Sequence, residues 1–321
     1  MAKPIYAGTY TNRGGGRFKR VFITIVVLHL IVIGGIVGYN KFKGKDVEPD
    51  AHMAAPPPAP LAGAAAPAMP TPALPAPIMT VTSTAESQAV ISDAQAFLDA
   101  GQLAEAKITL DKLVAQTPDA QAIQMLGNVN MKLLKSPIMI PGKEYYAIVS
   151  GDSLSKISKK YNTTVALIKA MNGMETDVIR AGARLQVYKS EFSIRVSKTQ
   201  NTLDLMDGDK IFKRYSVGTG KFGKTPAVEF TIYDKIVEPP WTRFSDGKQI
   251  EYGDPENVLG TRWMAITSVD HPEITGFGIH GTWERDSIGK QSSAGCIRML
   301  NEDVEELFDL VPRKTTVIIT E

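Results

Sequence analysis

From residue 85 onward the chain falls into three stretches of different pattern, and each predicts a different set of elements. Val90, Ala94, Phe97 and Leu98 recur at helix spacing, Gly101-Gln102 breaks the run, and Ala106, Leu110, Leu113 and Val114 resume it until Thr117-Pro118 stops it. A further helix is expected over 120–134, so 85–135 reads as a small α-helical hairpin. Strict alternation then predicts a strand over Tyr145–Val149. Leu154, Ile157 and Tyr161 mark one amphipathic helix, and Val165, Ile168 and Met171 a second one capped by Thr163-Thr164. Asn172-Gly173 turns the chain, and Arg184–Tyr188 forms a closing strand, giving the order strand, helix, helix, strand. Beyond 190 the runs shorten and fill with β-branched and aromatic residues: Phe192–Val196, Thr202–Met206, Ile211–Val217, Phe230–Tyr233, Trp263–Thr267 and Thr315–Ile319. With one helix at Asn301–Leu310, these predict a mainly-β domain, a sandwich or barrel-like core carrying a site.

The N-terminal quarter follows no such period. Residues 21–39, VFITIVVLHLIVIGGIVGY, hold no charge over nineteen positions, nearly enough helix to cross a hydrocarbon core of about 30 Å. A transmembrane signal anchor is therefore expected, longer than the apolar stretch of a cleaved signal peptide. Five basic residues in the 1–20 tail precede it, and three lysines mixed with acids follow, which favours an inside N-terminus. The chain is thus expected to be a single-pass protein of the cell membrane, with its C-terminal domains in the periplasm or extracytoplasmic space. Within the 40–84 linker, residues 54–77 contain nine prolines and ten alanines, a spacer reaching on the order of 75 Å if fully extended.

Composition narrows the function classes. A net charge of +2 over 321 residues, without a basic tract, argues against nucleic-acid binding, and four scattered histidines offer no metal site. No cofactor is expected. The lone cysteine, Cys296, cannot form an intramolecular disulfide, and a free thiol outside the cytoplasm needs a reason. Nucleophilic catalysis supplies one, because a thiol activated by a base attacks carbonyl carbon, with backbone N–H groups receiving the oxyanion. His280, in Phe277-Gly278-Ile279-His280-Gly281, is the candidate base sixteen residues upstream.

Longer motifs carry resemblances. AFLDAGQLAEAKITLDKLVAQTPDAQAIQMLGNV resembles one tetratricopeptide-like (TPR-like) repeat and the start of a second, too little for an array, so the hairpin is expected to pack on a neighbouring domain or a protein partner. Residues 144–189, with GDSL, Y..T...I...N and G..L.V in register, resemble a LysM domain. That resemblance implies binding of N-acetylglucosamine-containing glycan through Gly151, Asp152, Ser153 and Leu154 and through Val178, Ile179 and Arg180. IHGTWERDSIGKQSSAGCIRM resembles the signature of the L,D-transpeptidase (YkuD-type) catalytic domain, and so do YSVGTGKFGKTPAVEFTI and PPWTRFSDGKQIEYGDPENVLGTRWMAI. This likeness covers 190–321. It implies Cys296 as nucleophile and His280 as base and later acid, oriented by the Gly281 carbonyl. Ser293, Gly295 and Arg298 would shape the site, and N–H groups around Gly295 and Cys296 would form the oxyanion hole. Two positions depart from the pattern: Ala294, where many members carry a second histidine, and Val228, where glycine is usual.

The implied reaction is cross-linking of peptidoglycan between third residues of stem peptides, with glycan strands held by LysM. An L,D-carboxypeptidase, a protein-anchoring acyltransferase and a non-catalytic wall-binding scaffold are the alternatives.

Overall fold

Three helices open the part of the chain described by the computed structural model, residues 85–321 apart from residue 244. The expected anchor at 21–39, its basic flank and the linker lie outside the described residues. No helix among the described residues is long and apolar enough to cross a membrane.

Helices α1 (Ala85–Asp99), α2 (Leu103–Gln116) and α3 (Ala120–Lys135) follow the predicted breaks. Asp119 starts α3 by accepting from the N–H groups of Gln121 and Ala122, at 2.9 and 3.0 Å. This helix is buried on two sides. Ala122, Leu126, Val129 and Leu133 face α1 and α2, whereas Met131 and Leu134 enter the core of the sheet domain. Gly127 allows the close approach: a Cβ there would stand 2.8 Å from Lys213 Cγ and 3.3 Å from Lys213 Cα. Alanine requires only that a flexible lysine stem give way, and it gains helix propensity of about 1 kcal/mol, so Gly127→Ala is expected to be near neutral. Gly127→Leu instead forces the helix off the strand, and urea unfolding should show a loss of about 1–3 kcal/mol. Equal stability of the two variants would contradict this packing.

The next unit pairs β1 (Lys143–Ala147) antiparallel with β2 (Arg184–Tyr188) around α4 (Leu154–Lys160) and α5 (Val165–Met171). Ser153 and Thr164 cap the two helices through their hydroxyls. Ile148, Leu154, Ile157, Tyr161, Ile168, Leu185 and Val187 make its own small core. Leu167 and Met171, on the other side of α5, belong to the core of the sheet domain.

That domain is built on one eight-stranded mixed sheet in the order β13-β11-β10-β7-β14-β3-β4-β5. The strands are β3 (Phe192–Ser197), β4 (Thr202–Asp207), β5 (Lys210–Ser216), β7 (Glu229–Val237), β10 (Arg262–Thr267), β11 (Gly278–Thr282), β13 (Ile297–Leu300) and β14 (Thr316–Thr320). Pairs β11–β13 and β14–β3 are parallel, the others antiparallel. The alternation within each strand sends Ile194, Val196, Leu203, Leu205, Phe230, Ile232, Ile279, Ile297 and Val317 to one core. Helix α6 (Asn301–Leu310) adds Val304, Leu307 and Leu310 to it.

A single open sheet was not expected, and its two ends explain the barrel-like pattern. After β5 the chain reaches Gly218, which exchanges two 2.8 Å backbone hydrogen bonds with Arg298 of β13, so the first and last strands of the order meet at one corner. Beyond this corner the short β6 (Thr219–Gly220) pairs in parallel with β12 (Gln291–Ser293), and β8 (Trp241–Thr242) pairs antiparallel with β9 (Gln249–Ile250).

Candidate active site

The corner gathers the residues singled out in the sequence. Parallel pairing sets Ile279 opposite Ile297 and His280 opposite Arg298. Ile279, Ile297 and Met299 point into the core, so alternation turns His280, Arg298 and Cys296 to the other face. Cys296 and His280 are then one diagonal step apart across neighbouring strands, on the order of 8 Å between backbones, which their side chains can span. The Nδ1 of His280 donates to the Gly281 carbonyl at 2.6 Å. A carbonyl only accepts, so this bond leaves Nε2 with its lone pair. Trp263, paired with His280 across β10 and β11, lies with its ring 5.7 Å from the imidazole and walls it from water.

The loop before β13 is tied from within and from outside. Ser293 donates its hydroxyl to the Cys296 carbonyl at 2.7 Å and accepts from the Gly295 N–H at 3.0 Å. Thr225 donates to the Gly295 carbonyl and accepts from the Gly220 N–H, each at 2.7 Å, joining the GTG segment to the cysteine loop. Gly295 has φ of 145°, and a Cβ there would meet Phe277 Cε1 at 2.7 Å. Of the N–H groups expected around Gly295 and Cys296 to receive an oxyanion, that of Gly295 is engaged by Ser293, whereas that of Cys296 is unengaged.

The electrostatics also differ from a pre-formed ion pair. Burial pushes the Cys296 thiol up from its ordinary value, against weaker opposition from a backbone hydrogen bond at Gly278 and the Arg298 charge. Burial, helped by the Arg298 charge, likewise lowers His280 to about 4, although its contacts with the Gly281 and Leu259 carbonyls pull the other way. Both groups are therefore neutral at pH 7 in the free protein. Alkylation of Cys296 by iodoacetamide should still accelerate above pH 8.5, the ordinary cysteine value of about 8.5 being exceeded. A rate already level at pH 6 to 7 would mean a resting thiolate and contradict this arrangement.

Arg298 is held by Glu284, 2.7 Å from its guanidinium, and its Nε has no hydrogen-bond partner. Trp283, Glu284, Ser292 and Arg298 line an open cleft of about 730 Å³ beside the loop. Ala294 is exposed, so no buried group misses the side chain it lacks. Val228 does not have positive φ, and it packs against the core while its carbonyl accepts from Ile319, so that turn does not need glycine. His271 stands on a surface turn against Glu273. Thr225 and Trp263 were missed as site residues; the TP and RW pairs in the motifs were their only signal.

The glycan-loop candidates separate. Val178 is 73% exposed, whereas Leu154 is 2% exposed and belongs to the small core, which corrects its placement at a sugar-contacting surface. Asp152 is engaged by the Tyr146 hydroxyl and the Val149 N–H, both at 2.9 Å, and Ser153 caps α4. Gly151 carries positive φ at the loop, Ile179 packs on the small core, and the Arg180 carbonyl accepts from Ala183.

These elements are those of a known family. Residues 191–319 match the L,D-transpeptidase catalytic domain and residues 146–187 the LysM domain. A putative L,D-transpeptidase of Bacillus subtilis, YqjB, is 40% identical over 129 residues, 39% of this chain and 69% of its own. A putative L,D-transpeptidase of Bacillus licheniformis, YkuD, is 33% identical over 183 residues, covering 54% of this chain and 98% of the relative. Among solved structures, the catalytic domain of an E. faecium L,D-transpeptidase aligns with 24% identity and a TM-score of 0.33, over 41% of this chain and 98% of that one. The chain belongs to the L,D-transpeptidase family, with a LysM domain preceding its catalytic domain.

Proposed function

We propose that the protein cross-links peptidoglycan stem peptides through an acyl-enzyme on Cys296. The observation that carries this reading is the His280 Nδ1 bond to Gly281, which leaves the Nε2 lone pair free on the sheet face that also bears the thiol. In the first step Nε2 takes the Sγ proton as sulfur attacks the carbonyl between the third residue and D-alanine. The oxyanion is received by the Cys296 N–H. His280 then gives its proton to the departing D-alanine nitrogen, and a thioester remains. In the second step the side-chain amine of a neighbouring stem loses a proton to His280 and attacks the thioester. Collapse forms the new amide, and the proton returns to sulfur.

A neutral thiol and imidazole suit this sequence, because the proton moves only when a carbonyl is in place. The LysM domain would hold glycan while the N-terminal segment, as a membrane anchor and spacer, sets the reach from the extracytoplasmic face. Water as acceptor would make the same site a carboxypeptidase, and a protein amine would make it an anchoring enzyme. The full chain incubated with disaccharide-tetrapeptide should release D-alanine and form dimers visible by mass spectrometry. Release without dimers selects the carboxypeptidase; neither product selects the non-catalytic scaffold.

A further inference from the structure

A cleft of about 830 Å³ separates the LysM unit from the sheet domain and takes no part in the site around Cys296. One wall is the Ser155, Ser158 and Lys159 face of α4 with the turn Asn162–Thr164. The other is Lys235, Arg313 and Lys314. The two walls are held in place, because Thr164 donates its hydroxyl to the Asp309 carbonyl while Leu167 and Met171 sit in the shared core. The cleft is therefore pre-formed, within the usual size of ligand sites.

Its charge is one-sided: four cations line it and no carboxylate does. Asp234, outside the lining, takes up Arg313 at 2.7 Å. Lys235 is turned onto the carbonyls of Phe308 and Val311, with Asp309 nearby as a partial counter-charge. Lys159 and Lys314 have no carboxylate within ion-pair distance among the described residues. Thr163, 5% exposed, has a buried hydroxyl without a hydrogen-bond partner. Such groups in folded proteins ordinarily have a partner, whether protein, water or ligand. Lys314 holds φ of 74°, an uncommon conformation for a long side chain and a kind of strain that gathers at binding sites. Burial lowers Lys235 to about 8, so an entering anion would meet a cation that lacks full solvation.

We propose that this cleft binds an anionic oxygen group, carboxylate or phosphate, carried by a hydroxyl-rich wall polymer that runs between the glycan-binding and catalytic units. The polymer assignment rests on the function proposed above; the anion preference rests on the cleft alone. Hydroxyls and amides from α4 and its following turn suit the polymer backbone, and the cations suit the charge.

Hydrogen exchange of the full chain tests it with three probes: disaccharide-tripeptide, polyglycerol phosphate and uncharged chitotetraose. Segments 159–164 and 308–314 should gain protection with at least one anionic probe and not with chitotetraose. The tripeptide alone would identify carboxylate, the polymer alone phosphate. The double variant Lys159→Glu, Lys314→Asn should weaken the protecting probe tenfold or more, while chitotetraose binding and D-alanine release from soluble tetrapeptide stay at wild-type levels. Asparagine is chosen because it tolerates the left-handed conformation at 314. No protection by either anion, or unchanged affinity in the variant, overturns the proposal. If the variant also loses chitotetraose, Lys159→Gln and the wild-type exchange map decide. D-alanine release by the wild type reports separately on the enzymatic reading, so the two can fail independently.

Discussion

Cys296→Ala is expected to lower D-alanine release from disaccharide-tetrapeptide by about 10⁴-fold or more, to the uncatalysed background, because covalent catalysis has no substitute nucleophile here. Cys296 is the chain's one thiol, so intact-mass analysis reads the adduct directly. Wild type incubated with tetrapeptide whose third-residue side-chain amine is acetylated, so that it cannot act as acceptor, should carry the mass of the acetylated disaccharide-tripeptide less water; the alanine variant should not. His280→Gln gives a different pattern. It keeps the thiol but removes the acceptor nitrogen, and a loss of about 10²–10⁴-fold is expected at pH 7. Part of the acylation should return at pH 10, where solvent deprotonates a thiol whose value burial has raised. A Cys296→Ala protein that still releases D-alanine at the wild-type rate would rule out the acyl-enzyme.

Gly295→Ala is the second large effect, and it arises from backbone geometry rather than chemistry. At φ of 145° an L-residue is strained, and the added Cβ would lie 2.7 Å from Phe277 Cε1 and 3.2 Å from the Lys224 carbonyl. The loop must move, and with it the Cys296 N–H and sulfur, since Ser293 and Thr225 fasten the same turn. A displacement of about 1 Å at a reacting centre can cost on the order of 100-fold, so kcat should fall by that factor. The unfolding midpoint should fall as well, by the equivalent of about 1–3 kcal/mol, because Gly295 is buried and Phe277 packs on the main core. The neighbouring Ala294→Ser, at an exposed position, is expected to leave folding stability within about 0.5 kcal/mol, as surface changes usually do. Equal kcat for Gly295→Ala and wild type would show that the loop geometry is not required.

Much of this was readable from local pattern. The three helices over 85–135 follow their breaks at Gly101-Gln102 and Thr117-Pro118, and Arg184–Tyr188 and Asn301–Leu310 form where their periods place them. Each is set by interactions within a few residues: a cap, a period, a turn glycine. The candidate pair was legible because Cys296 and His280 lie in dense motifs. Thr225 was not, since its role is to bridge two segments 70 residues apart, from its own hydroxyl to the Gly295 carbonyl. Leu154 was misplaced for a related reason. A loop position next to a cap can face outward or inward, and only the packing of α4 sent it in.

The positions of Cys296 and His280 in their motifs, and the residues of the strands through the period of two that any short segment carries in itself, were determined by the sequence alone. The tertiary structure decided three further matters. It brought the two ends of the sheet order together at Gly218 and Arg298, it engaged the Gly295 amide with Ser293, and it raised Cys296 by burial. Each depends on which distant atoms share one small volume, and on how much water that volume excludes. Neither quantity exists until the strands have paired.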